Sequence, residues 1–256
     1  MKDHIHLSCA VTSFILALTS QVYLAGWLTN TIVPVTIDSK PSSWDSLVLL
    51  PGSPFINNIL LIMVFVLQHS LMARKAFKTM IDTCFPEDFE RVVYNVMTVV
   101  VVYLMFFLWE PLPDVIWNVT IPWLRYTIIA VRLGFVMVVL KSVATLDRLI
   151  LYGIKQPLCR VQNKQLPKVS LVKSGMFGIV RHPTMAGLMG IFLVTPTMTT
   201  GQLLFAITMT MYIMIAVLCL EERDLVHYFG SKYEEYKKTT PAFIPSLWRS
   251  HKLASD

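Results

Sequence analysis

The sequence predicts an all-α, polytopic membrane bundle of about six transmembrane helices, followed by an amphipathic helix on the cytoplasmic surface. Three observations carry this. Hydrophobic residues make up 55% of the 256 and charged residues only 15%, with a mean hydropathy of +0.59, whereas soluble domains keep about a quarter of their residues charged. The apolar residues gather into runs of nearly bilayer length. Lys and Arg concentrate in alternate loops, the pattern that positive-inside topology produces.

Span one is Leu7 to Leu28; it is as long as a full crossing and lacks a small-x-small cleavage site, so it reads as an uncleaved first helix. The polar loop Asn30 to Phe55, rich in Pro and Ser, belongs to the outer face. Span two, Ile56 to Met72, runs into QHSLMARKAFK, and the following loop to Arg91 holds Arg74, Lys75, Lys78 and Arg91, which places it in the cytoplasm. Span three, Val92 to Trp109, leads to a loop with three tryptophans and no Lys or Arg, suited to the outer headgroup belt. Span four, Trp123 to about Thr145, carries Arg125, Arg132 and Lys141, charges that snorkel or pair inside a bundle. The connector Leu146 to Arg181 adds seven basic residues and is cytoplasmic.

The last two spans form a hairpin. Leu188 to Leu220 is nearly charge-free and is broken only by the turn-like TPTMTTGQ, Thr195 to Gln202. Each arm is short for a perpendicular crossing, which also allows a tilted or re-entrant pair. With six crossings both termini are cytoplasmic. The chain 1–256 then reads as one integral membrane domain, a four-span scaffold (1–145) followed by connector, hairpin and C-terminal helix (146–256).

Several chemistries drop out. The net charge of +6 resides in short loops flanking apolar runs, so it speaks for topology and against nucleic acid. The four cysteines show no ligand spacing and no disulfide framework. Nucleotide-loop, HExxH and GxSxG motifs are missing, and His69 and His182, without clustered carboxylates or thiolates, make no metal site.

A tight hairpin returns its two charged ends to one side, so Arg181 and His182 are expected beside Glu221, Glu222, Arg223 and Asp224. Ionisable groups crowded at a membrane boundary mark a candidate site. Tyr228, Tyr233 and Tyr236 follow at roughly helical spacing, on a helix able to close over the cluster as a lid. Carboxylates, a cation, an imidazole, rings and an apolar floor are the mixture that a zwitterionic adenosyl cofactor requires. Each residue also has a plainer reading. His182 before Pro183 can cap a helix, Glu221 and Glu222 can be solvated charges, and Gln68 with His69 can be a polar helix end.

Segments in this order and spacing resemble a known superfamily. FVLQHSLMARKAFK at Phe65 to Lys78, WEPLPDVIW at Trp109 to Trp117, GMFGIVRHPTMAG at Gly175 to Gly187, TPTMTTGQLLFA at Thr195 to Ala206 and EERDLVHYFGSKYEEYKKTTPAFIP at Glu221 to Pro245 are similar to the nurim and isoprenylcysteine carboxyl methyltransferase superfamily, most closely to its methanethiol S-methyltransferase branch. The resemblance implies a site for S-adenosylmethionine formed by Arg181, His182, Pro183, Gly187, Glu221, Glu222, Tyr233, Tyr236 and Pro245, with His182 and Glu222 as the catalytic pair. Gln68 and His69 belong to the motif of the nurim and thiol-methyltransferase branch. Met185 stands where the prenylcysteine enzymes have Tyr, and these three are assigned to the substrate. Phe177 departs from the Tyr of many relatives.

The activity that the resemblance implies is transfer of a methyl group to a small thiol, methanethiol, giving dimethyl sulfide. The alternative is a nurim-like structural protein of the inner nuclear membrane. The partners are a small thiol and the lipid bilayer. The membrane is that of the endoplasmic reticulum or nuclear envelope in a eukaryote, and the cell membrane in a bacterium. No single catalytic base is assigned; His182 and His69 are the available proton acceptors.

Overall fold

A computed structural model describes residues 2–50, 52–85, 89–167 and 169–246. The last part of the expected extended tail, from residue 247 on, lies outside them. Four long helices come first: α1 (Lys2–Thr29), α2 (Pro54–Met72), then, after the short α3 (Lys75–Cys84), α4 (Glu90–Leu108) and α5 (Pro122–Thr145). Pro54 and Pro122 occupy the first turns of α2 and α5, where a missing N–H leaves no bond unmade. The connector holds α6 (Arg148–Leu151), α7 (Lys155–Val161) and α8 (Met176–Ile179). The hairpin follows as α9 (Pro183–Leu193) and α10 (Thr200–Ile215). A π-helical stretch, Ala216–Glu221, carries α10 into α11 (Glu222–Phe229), and α12 (Ser231–Thr239) follows a break at Gly230.

Among the described residues five helices are long and apolar enough to cross a bilayer, the fifth running unbroken from Thr200 to Phe229. The expected fifth span of six is the exception. At 11 residues α9 covers only about 16 Å, half of a hydrocarbon core of about 30 Å. Residues 194–199 continue in extended form to the far end of the bundle. There β2 (Thr197–Thr199) pairs antiparallel with β1 (Val115–Asn118) of the loop between α4 and α5. The tryptophan-rich loop expected to sit at the headgroups is therefore half of a two-stranded ribbon.

Polar side chains knit this ribbon end. Asn57 and Asn58, both fully buried at the start of α2, donate to the Leu108 and Glu110 carbonyls at 3.0 and 2.7 Å. Gln202, in a capping box with Thr199, donates to the Leu28 carbonyl at 3.0 Å, and Thr199 donates to Asp38 Oδ1 at 2.7 Å. Below them Trp27 packs against Phe106, Trp109 and Phe205 with ring centroids 5.2, 5.2 and 5.6 Å apart. Such pairs add about 0.5–1.5 kcal/mol each beyond area burial. This cluster takes residues from α1, α2, α4, α9 and α10, so the hairpin is part of the core.

At the opposite end, the site end, lie the α3 loop, the connector, the start of α9 and the α11–α12 segment. The close fit of α9 on α5 depends on Gly187, where a Cβ would stand 2.6 Å from Val139 and 3.1 Å from the Phe135 carbonyl. The expected single C-terminal helix is divided because Gly230 adopts φ +59°, which ends α11 and turns α12 back.

Candidate functional site

The α9–α10 hairpin and the return of the C-terminal segment bring residues 181–182, 221–222 and 233–243 together. The Arg181 N–H donates to the Pro241 carbonyl at 2.8 Å and the His182 N–H to the Ala242 carbonyl at 3.0 Å. Two backbone bonds thus strap the tail across the entrance to α9. Pro183 at the first helical position leaves the α9 N-terminus open, and His182 makes no side-chain cap. Its ring meets Glu222 and Tyr233 instead.

Glu222 is the centre of the arrangement. Its side chain is 3% exposed. Oε1 accepts from Arg181 Nε at 2.8 Å and Nη2 at 2.5 Å and lies 3.1 Å from His182 Nε2, while Oε2 is 3.0 Å from Lys237 Nζ. Arg181 also donates through Nη1 to the Lys237 and Thr240 carbonyls, so one guanidinium fastens the hairpin mouth to both the π-helical junction and the end of α12. Glu221 is different: its side chain is 46% exposed, and His182 Nδ1 stands 3.7 Å away.

Tyr233 and Tyr236 project inward from α12. The Tyr233 hydroxyl is 3.5 Å from His182 Nε2, and Tyr236 donates to the Phe177 carbonyl at 2.5 Å. The departure at Phe177 therefore leaves this bond intact, because the backbone supplies the acceptor. Burial, reinforced by the Glu222 carboxylate, pushes the Tyr233 phenol well above its ordinary value, so it stays protonated. An open cleft of about 660 Å³ lies between α11 and α12, lined by Leu218, Glu222, Arg223, Val226, Glu234, Lys237 and Lys238.

Not every expected residue joins this group. Gly187 serves helix packing against α5. Pro245 is exposed, and the residue of the tail that reaches the cluster is Phe243, its ring 5.9 Å from His182. Tyr228 is 65% exposed and packs on Phe229, away from the cluster. Met185 points into the main core. Gln68 and His69 form a separate polar group on α2: Gln68 Nε2 is 3.3 Å from Thr98, and the Tyr94 hydroxyl lies 2.8 Å from His69 Nε2. Arg132 lines a small space with Phe192, Thr195 and Gln202 toward the ribbon end. Sequence reasoning missed Lys237, Thr240, Pro241 and Ala242. The motif EERDL…KYEEYKKTTPAFIP contained them, but only the return of the tail onto residues 181–182 and Glu222 revealed their part.

The fold and this site define a polytopic helical membrane protein whose C-terminal segment folds back onto a charged cluster at one end of the bundle. The chain belongs to the NnrU protein family, whose model matches residues 58–249. It is similar to methanethiol S-methyltransferase 2 of Bradyrhizobium diazoefficiens, 33% identical over 243 residues that cover 93% of this chain and 89% of that protein. Methanethiol S-methyltransferase of Pseudomonas deceptionensis is 36% identical over 232 residues, covering 86% and 82%. Nurim of Bos taurus is more distant, 30% identical over 183 residues and covering 67% and 68%. No solved structure matches the chain.

Proposed function

We propose that the protein is an integral membrane methyltransferase that moves the methyl group of S-adenosylmethionine to methanethiol, releasing dimethyl sulfide. The observation that carries this reading is similarity over nearly the whole chain to proteins named for that activity. The more distant relationship to nurim favours a structural role less.

The residues present suit the cofactor. The carboxylate and cations of the α11–α12 cleft match an ammonium and a carboxylate, and the buried tyrosines and Phe243 border the same cluster. When bound, the cofactor supplies an electrophilic methyl on a sulfonium. Residues of the α11–α12 cleft would hold its amino-acid end, and His182 Nδ1 would take up the thiol proton as the methyl passes to sulfur. Little further acid–base chemistry is required, so the protein's work is alignment and exclusion of water.

Within this reading His182 Nε2 carries the hydrogen that it shares with Glu222 Oε1, and Nδ1 is left to accept a proton. Through Oε1, Glu222 holds that tautomer and the Arg181 side chain. This reading places the small thiol near Met185, one turn into α9 from His182 and packed against the apolar core. His69, beside Tyr94 and Tyr212 in a separate polar group on α2, is the second imidazole of this reading. The site end faces the cytoplasm, following the Lys and Arg bias of its loops.

The test is direct. Membranes containing the protein, supplied with S-adenosylmethionine and methanethiol, are expected to release dimethyl sulfide into the headspace. Turnover of a farnesylcysteine analogue with no reaction of small thiols would overturn the substrate. Loss of all S-adenosylmethionine binding in the purified protein would leave the structural reading.

A further inference from the structure

Two cations hold Glu222, and they are held in unlike ways. Arg181 is 9% exposed, makes a two-pronged contact with Oε1 and also donates to two backbone carbonyls. Lys237 is 38% exposed, touches only Oε2, and stands at the wall of the α11–α12 cleft. A lysine on a flexible stem in a solvent-facing pair is weakly committed, whereas a planar guanidinium fixed at four acceptor contacts is not. Of the two, only the Lys237 position can be vacated without dismantling the mouth of the hairpin.

The same cleft presents Arg223 and Lys238, neither of which has an ion-pair or hydrogen-bond partner among the described residues. It thus combines one carboxylate oxygen already coordinated by an ammonium, two unengaged cations a short way off, and the apolar walls of Leu218 and Val226. An α-amino acid group has that charge pattern in reverse. We infer that Lys237 is a displaceable stand-in for a ligand's α-ammonium on Glu222 Oε2, and that Arg223 and Lys238 receive the carboxylate of the same amino-acid group. In the reading proposed above, on which this rests, that group is the methionine end of the cofactor. No bond is made or broken; one ammonium replaces another, and Lys237 returns to solvent.

The experiment is calorimetry on the full-length protein in detergent, with S-adenosylhomocysteine as probe and 5′-methylthioadenosine, which lacks the amino-acid group, as comparison. Lys237→Gln removes the competitor and is expected to tighten S-adenosylhomocysteine about two- to fivefold, the scale of an exposed ion pair. The double variant Arg223→Gln/Lys238→Gln is expected to weaken it about tenfold, the scale of a lost charged hydrogen bond. Affinity for 5′-methylthioadenosine should be the same in all three proteins. Unchanged or weaker S-adenosylhomocysteine binding by Lys237→Gln, with its thermal unfolding unaltered, would overturn the inference and leave the transferase reading standing. Absence of S-adenosylhomocysteine binding in every form, wild type included, would remove the transferase reading and this inference with it.

Discussion

Arg181 and Glu222 meet across 41 residues of chain, with the guanidinium Nε and Nη2 at 2.8 and 2.5 Å from one carboxylate oxygen. The pair closes the hairpin: Arg181 precedes α9 and Glu222 begins α11, so the contact joins the outward and return paths of the chain. Charges this far out of water are tolerated because each has further partners, His182 and Lys237 for the carboxylate, and backbone carbonyls for the arginine.

Removing one partner should therefore be costly. Glu222→Ala leaves Arg181 nearly buried and uncompensated, and is expected to destabilise the protein by about 3–5 kcal/mol. Glu234→Ala, at an exposed position of the same cleft, is expected to change stability by no more than about 0.5 kcal/mol. Thermal unfolding in one detergent compares them, and equal midpoints would show that the Arg181–Glu222 pair is not structural.

The Tyr233 phenol gives a pH signature. Burial raises its pKa in the folded protein, while the unfolded chain ionises at about 10. The protonated phenol therefore contributes stability that is fully present below pH of about 10 and is lost as pH rises from there toward the folded value. Between pH 9 and 11 the wild type should lose unfolding temperature more steeply than Tyr233→Phe. Parallel slopes would mean that the ring is solvated.

Topology can be read by labelling. Single cysteines introduced at Lys164 in the connector and Lys232 in α12 are expected to react from the same side of sealed vesicles, and one at Asp114 beside the ribbon from the other. Reaction of Lys164→Cys and Lys232→Cys from opposite sides would separate the two halves of the site and refute the arrangement.

The sequence by itself determined the helical membrane class, the limits of the first four spans to within a few residues, and the meeting of RHP with EE. These follow from local quantities: run length sets a crossing, loop cations set alternation, and a tight turn returns two ends to one side. Tertiary structure decided the rest. That α9 is only 11 residues long, its path completed by an extended segment paired to β1, depends on hydrogen bonds to a loop some 80 residues earlier, which no local pattern encodes. Adjacent glutamates look alike in sequence, yet one is buried under two cations and an imidazole while the other is half exposed. The difference comes from where the π-helical turn points each side chain. Nothing in the sequence sets Lys237 apart from Lys238; only the reversal at Gly230 carried it back to Glu222. Gly187, expected at the site as part of a motif, is used instead for backbone approach between α5 and α9, because its missing Cβ is what lets the two helices touch.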